Sequence, residues 1–362
     1  MKNHLKYLSL FLFVLTIFSC GNADDNVPFD FDQSGELGKG KPVDDCLDLG
    51  DNELLLSIQE QFTTLPGKVS ILFRVSDNDG NPVSGLVAND FTIYEQGRND
   101  ECFNTISTSE SFARISSNSQ IFNNSTILVL DLSNSVLSSS LDELKAATIS
   151  FINNVMETEM DSFKMAIHWF DGEDKLHELN PLTTSKQELI AAINGITTDI
   201  SDDPSTDLYG AVIKSTKIAS DLLAQSTEDE VIGASSVVIF TDGTDQASRY
   251  TKDAALKKVN DADSNISFFT IGLGSEIDTQ ILADLGKTSS VFATNKDELE
   301  TKFNDISERI SERANSFYLF EYCSPKRDGS GENNLAIQVS KGSRQGAVQT
   351  KFSAKGFTGG CE

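Results

Sequence analysis

The chain has 362 residues, 38% of them hydrophobic and 23% charged, with 55 Asp and Glu against 29 Lys and Arg for a formal charge of −26. That is enough apolar material for a buried core and enough length for two compact domains. The acidic excess argues against nucleic acid, whose phosphates need clustered Lys and Arg, and against a basic face docked on anionic lipid.

Residues Met1 to Cys20 begin with Lys2 and Lys6, run through an almost wholly apolar stretch from Leu8 to Phe18, and end on Ser19-Cys20. The apolar run is too short for a comfortable membrane span and stops at a small residue, as export signals do. It resembles a bacterial lipoprotein signal, which implies a signal peptide at residues 1–19 and lipidation of Cys20. Residues 20–45 are rich in Gly, Asp, Asn and Pro without periodicity and are expected to form a disordered tether. Asp24 and Asp25 resemble the acidic surface-export tag of Bacteroidetes lipoproteins. The expected location is therefore the outer membrane with exposure at the cell surface, a periplasm-facing anchor being the alternative.

Five cysteines is an odd count, and Cys20 accounts for the odd one. Cys46, Cys102, Cys323 and Cys361 are disulfide candidates with three possible pairings. None forms a CxxC pair of the kind that holds zinc or does redox work.

From Glu53 to about Arg114 the pattern is β. Val69, Ile71, Phe73 and Val75 alternate with polar residues, which predicts a strand with one buried and one solvated face. Asp77-Asn78-Asp79-Gly80-Asn81-Pro82 reads as a hairpin turn, because the further ligands and closing Glu of an EF-hand calcium loop are missing. Phe91, Ile93 and Glu95 resume the alternation.

From Ser125 the texture changes to α/β. Ile127 to Leu130, Met165 to Phe170, Val237 to Phe240 and Ile266 to Ile271 are apolar runs of the kind buried on both faces. Lys175 to Leu179 suits a short edge strand, and Val291-Phe292 a brief one. Helices are expected near 141–156, 186–196, 208–224, 252–262, 278–285 and 296–314. Strands alternating with helices predict a doubly wound, Rossmann-like parallel sheet. Three further strands follow at 317–322, 335–339 and 347–352, too few to stand alone. They are expected to join the strands before Ser125 in one all-β, immunoglobulin-like sandwich, with the α/β domain inserted in it or flanked by it. The expected boundaries are 46–124 and 316–362 for the two parts of the sandwich and 125–315 for the α/β domain. On that topology Cys46 would pair with Cys361 and Cys102 with Cys323, a nested arrangement slightly favoured over local pairing within each half.

Ligands bind at the carboxyl ends of strands in open α/β sheets. Here those ends carry Asp131-Leu132-Ser133-Asn134-Ser135 and Thr241-Asp242-Gly243, with Ser205-Thr206-Asp207 in a loop before a helix. Each piece alone is an ordinary cap or turn. Together they set carboxylates and hydroxyls on one rim. A hard-oxygen set with few charges suits Mg²⁺, or Mn²⁺, and leaves the ion net positive and able to take an acidic group from a partner.

ILVLDLSNS, PSTDLYGA, VVIFTDGTD and FTIGLG, in this order and spacing, resemble a von Willebrand factor type A domain with a metal-ion-dependent adhesion site, over about residues 125–314. The resemblance implies that Ser133, Ser135 and Thr206 hold the ion through hydroxyls, while Asp131 and Asp242 act directly or through water. VSDNDGNPVSGLVANDFTIYEQG resembles the β-sandwich segment that precedes such domains in some secreted bacterial proteins.

Other chemistries find little support. Gly286-Lys287-Thr288 ends like a phosphate loop, but Ile281 stands where the first Gly belongs. Gly272-Leu273-Gly274 lacks the third Gly of a dinucleotide fingerprint. His168 and His177 have no Gly-x-Ser-x-Gly elbow beside them, and His168 in a strand reads as packing. The expectation is a binding protein without enzymatic activity, which takes a protein or glycan partner offering an acidic group. A scaffold subunit of a cell-envelope complex is the alternative.

Overall fold

The computed structural model describes residues 40–50, 52–107, 112–117, 122–156, 163–228, 232–327 and 331–361. The expected signal peptide, Cys20, the acidic pair Asp24 and Asp25 and the tether up to residue 39 lie outside the described residues. The elements run β1 (Leu54–Thr64), β2 (Lys68–Asp77), β3 (Phe91–Gln96), β4 (Asn104–Ile106), β5 (Arg114–Ser117) and β6 (Phe122–Asp131). Then come α1 (Asn134–Ser139), α2 (Leu141–Val155), β7 (Phe163–Phe170), β8 (His177–Thr183), α3 (Lys186–Asn194), α4 (Leu208–Glu228) and β9 (Ile232–Thr241). Next are α5 (Lys252–Asn260), β10 (Ile266–Leu273), α6 (Thr279–Leu285), β11 (Ser289–Ala293) and α7 (Leu299–Ala314). The series closes with β12 (Phe317–Cys323), β13 (Glu332–Lys341) and β14 (Arg344–Ser353).

The middle of the chain forms a six-stranded sheet of order β11-β10-β9-β6-β7-β8. Its neighbours are parallel except at one edge, where β8 runs antiparallel to β7. The unbroken apolar runs are explained by helices on both faces. Leu128 and Leu130 pack with Leu144 and Phe151 of α2 and Phe303 and Ile306 of α7. Ile127 and Val129 face the other way, into Leu208 and Val212 of α4, Val259 of α5 and Leu282 of α6. Helix starts are set by side-chain caps: Ser185 accepts from Glu188 N, Thr251 from Ala254 N, and Asp278 from Gln280 N and Ile281 N.

The flanking strands form two four-stranded sheets, β1-β2-β12-β5 and β14-β13-β3-β4. Each combines strands from before and after the α/β region, through β2 with β12 and β3 with β13. One apolar core lies between them, with Phe73 and Tyr318 from the first sheet and Ile93, Ile337 and Phe352 from the second. Phe73 meets Phe91 edge to face at 5.4 Å between ring centroids.

The expected turn after β2 is present, and two other expectations are corrected. The turn at Asp77–Pro82 forms, with Gly80 N donating to Asp77 O at 3.0 Å and Gly80 at φ 84°. It closes a short hairpin, with Ser76 bridged antiparallel to Pro82 and Val83 N donating to Val75 O at 3.0 Å, before β3 departs into the other flanking sheet. The alternate face of β2 is not solvated: Ser70, Leu72, Arg74 and Ser76 are all buried. Ser70 donates to Glu321 of β12 at 3.2 Å, and Arg74 lies over the Phe317 ring, close enough to the α/β region for Arg313 and Asp263 to act on its charge.

The second correction concerns the cysteines, which pair as Cys46–Cys102 and Cys323–Cys361 and not in the nested arrangement. The reason is where the terminal segments run. After β14 the chain crosses the β1–β2 turn, where Thr358 N donates to Pro66 O, beside the point where Ser324 N donates to Gly67 O. That path brings Cys361 to the end of β12. The segment before β1 lies along β14, with Lys41 paired to Gln349, which leaves Cys46 within reach of Cys102 between β3 and β4.

Candidate metal centre

The carboxyl ends of β6 and β9 are neighbours because the two strands pair in register, Leu130 opposite Phe240. Asp131 ends β6 and is fully buried. Its Oδ1 accepts from Ser133 N at 2.9 Å and its Oδ2 from the Thr241 hydroxyl at 2.6 Å. Ser133 Oγ lies 3.3 Å from Ser135 Oγ, and Ser135 Oγ donates to Asp242 Oδ1 at 2.9 Å. The structure thus joins four of the five expected residues, Asp131, Ser133, Ser135 and Asp242, in one hydrogen-bonded string.

Thr206, the fifth, is buried on the same rim and is tied to it through the backbone. Its carbonyl accepts from Gln246 N at 2.9 Å and Ala247 N at 3.0 Å, in the loop that follows Asp242. Asn134 N donates to Pro204 O at 3.3 Å from the other side. Asp207, next to Thr206, caps α4 by accepting from Gly210 N and pairs with Lys214 at 3.1 Å. Gly172 permits the loop to close: a Cβ there would overlap Ser205 Oγ and the Asp203 carboxylate.

The electrostatics favour a cation. Burial pushes the Asp131 carboxyl up to about 7 against the bonds from Thr241 and Ser133, and the charge of Asp242 pushes the same way. Burial also raises Asp242, with Glu276 adding to it and Ser135 opposing. Two carboxylates share a pocket whose own donors do not fully compensate them, and a dication there would hold both ionised. The donors are all oxygen, so the residues fit a hard ion such as Mg²⁺.

Beside the rim lies an open groove of about 460 Å³, floored by Leu273 and edged by Ser139, Glu276, Thr294 and Lys296. Lys296 is held by Glu143 at 2.7 Å. The sequence pattern places Thr241 on the rim but does not show its role, which is to hold Asp131. A hydroxyl at a strand end gives no signal of its own until the register of β6 and β9 is known. His168 is packed within the sheet opposite Glu178, in keeping with a structural role.

Among known structures the chain is similar to BatB from Bacteroides thetaiotaomicron, at 18% identity over 54% of this chain and 100% of that one, with a TM-score of 0.42. It is similar to a von Willebrand factor type A protein from Catenulispora acidiphila, at 9% identity over 83% and 73% of the two chains, with a TM-score of 0.44. It is also similar to the von Willebrand factor domain of the type V pili tip protein Mfa5 from Porphyromonas gingivalis, at 13% identity over 53% and 96%, with a TM-score of 0.40. No curated protein sequence matches it. Among the described residues no helix is long and apolar enough to cross a membrane. Residues 126–309, about half of the chain, match the family model of the von Willebrand factor type A domain, and the chain belongs to that family.

Proposed function

We propose that this is a lipid-anchored, surface-exposed binding protein that grips an acidic group on a protein or glycan partner through Mg²⁺, or Mn²⁺, without catalysis. The observation that carries the reading is the string from buried Asp131 through Ser133 and Ser135 to Asp242. Ser133, Ser135 and Thr206 would supply neutral oxygens, and Asp131 and Asp242 the charge. A bound dication would act as a Lewis acid with charge to spare for one outside carboxylate or sulfate. The neighbouring groove, with Lys296 on its edge, would take the rest of that partner's surface. Lipidation at Cys20 and the acidic tether would hold the protein at the outer membrane. The two flanking sheets would form one immunoglobulin-like sandwich of residues 46–124 and 316–362, carrying the α/β domain of residues 125–315 as a stalk carries a head.

The test is a magnesium titration by calorimetry on the chain from residue 21 onward, beside Asp131→Ala. Binding to the parent alone supports the reading. Absence of binding to either overturns it and leaves the scaffold role, in which the rim serves assembly without an ion.

A further inference from the structure

Outside the Asp131 rim, the described residues bring together one other set of metal-ligating side chains: Asp171, Glu173 and His177, in the turn from β7 to β8. We propose that Asp171 Oδ1, Glu173 Oε2 and His177 Nε2 form a second metal site, selective for a transition-metal dication of the zinc class. The proposal does not depend on the reading of the rim.

Spacing is the first argument. His177 Nε2 lies 3.3 Å from Glu173 Oε2 and 3.9 Å from Asp171 Oδ1, and one ligand atom from each of the three residues falls within 4.8 Å of the others. Ligands bound at about 2.0–2.2 Å around one tetrahedral ion stand roughly 3.3–3.6 Å apart, so a small ion fits between them with minor adjustment.

Orientation is the second. The His177 ring stacks on Trp169 with centroids 3.9 Å apart and planes 11° from parallel, which fixes the direction of Nε2. That nitrogen is shut off from solvent and has no hydrogen-bond partner. Asp171 is held just as firmly, by Glu173 N at Oδ1 (2.8 Å) and the Ser201 hydroxyl at Oδ2 (2.7 Å), with Oδ1 3.9 Å from His177 Nε2. Among the described residues neither Asp171 nor Glu173 pairs with a Lys or Arg, so His177 is the only side chain placed to offset their charge.

Ligand chemistry decides the ion. An imidazole with two carboxylates suits zinc and its neighbours in the series, whereas Mg²⁺ prefers an all-oxygen set with retained water. Three protein ligands leave a fourth position for water. An ion here would clamp the β7–β8 turn to the loop that leads to Thr206, through Ser201 and through Asp207 N, which donates to Asp171 O at 2.7 Å.

The experiment is zinc calorimetry on the full chain in detergent with excess Mg²⁺ present, repeated with cobalt and followed by visible absorption. Parent protein and Asp242→Ala should each retain one equivalent of zinc that magnesium does not displace. His177→Gln should lose that equivalent together with the cobalt bands. Full displacement by magnesium, or retention of zinc in His177→Gln, overturns the proposal. Should His177→Gln fail to fold by circular dichroism, Glu173→Gln decides, because that side chain is 45% exposed and tolerates change. A tenfold or greater loss of zinc affinity upholds the site, and unchanged affinity rejects it. Loss of magnesium binding in Asp242→Ala with zinc retained would concern the rim alone.

Discussion

Thr241 donates its hydroxyl to Asp131 Oδ2 at 2.6 Å across the paired strands β9 and β6, and both side chains are fully buried. The bond fixes the rotamer of the one rim carboxylate that has no access to solvent. It also leaves Oδ1 for Ser133 N.

Thr241→Val keeps the shape and removes the donor. Magnesium affinity should fall about 10- to 100-fold, the usual cost of losing a partner to a metal ligand. Titration calorimetry would measure it, with circular dichroism to show that the fold persists. An unchanged affinity would mean that Ser133 N alone positions the carboxylate.

Glu95 is fully buried in the core between the flanking sheets, where its Oε1 accepts from the Tyr322 hydroxyl at 2.9 Å. Burial raises its pKa, against the help of Ser324, Tyr322 and the Lys326 charge. An acid whose pKa is higher folded than unfolded binds more protons when folded, so its contribution is full below the ordinary carboxylate range and is lost as pH rises through the folded value. Glu95→Gln keeps the acceptor and cannot ionise. Its stability relative to the parent should rise with pH over that window, as read from urea midpoints between pH 4 and 8. A constant difference would refute the assignment.

Arg74 is buried with Nε and Nη1 unpartnered, over the ring of Phe317 at 5.7 Å. Burial lowers its pKa well below normal, and the nearby Arg313 adds to the effect while Asp263 opposes it. A desolvated cation without full compensation is a weak contributor to stability. Arg74→Met should be neutral or stabilising by up to about 2 kcal/mol, seen as an equal or higher thermal midpoint. A loss of more than about 2 kcal/mol would show that the guanidinium joins the two regions through contacts of its own.

Peptide mapping without reduction should recover Cys46 linked to Cys102 and Cys323 linked to Cys361. The bridges span 56 and 38 residues, which in the chain-entropy model is about 4 kcal/mol each as an upper figure. Reduction should therefore lower the melting temperature of the flanking sheets before that of the α/β region, which carries no bridge.

Much of the α/β region was legible because its signals are local. Apolar runs such as Ile127–Leu130 marked strands covered on both faces, and the residues just beyond them marked the rim. What stayed hidden depends on how separate segments meet. Thr241 becomes a partner of Asp131 only through strand register. His177 meets Asp171 and Glu173 only because β8 turns back antiparallel at the edge. The second face of β2 looked solvated because Ser70, Arg74 and Ser76 are polar, yet another part of the chain lies over them. The disulfides followed the paths of the terminal segments, which carry no periodic pattern.

The α/β region leaves and re-enters the first flanking sheet on adjacent strands: β5 leads toward β6, α7 returns directly into β12, and β5 and β12 are hydrogen-bonded partners. The rim around Asp131 lies at the opposite end of β6 from these connections. A partner pulling on the rim would therefore load two covalent strands side by side, each braced by its neighbours in one sheet. A single linker would carry all of that tension and swivel under it. The paired attachment would share such a pull between two anchors and resist rotation of the α/β region against the sheet.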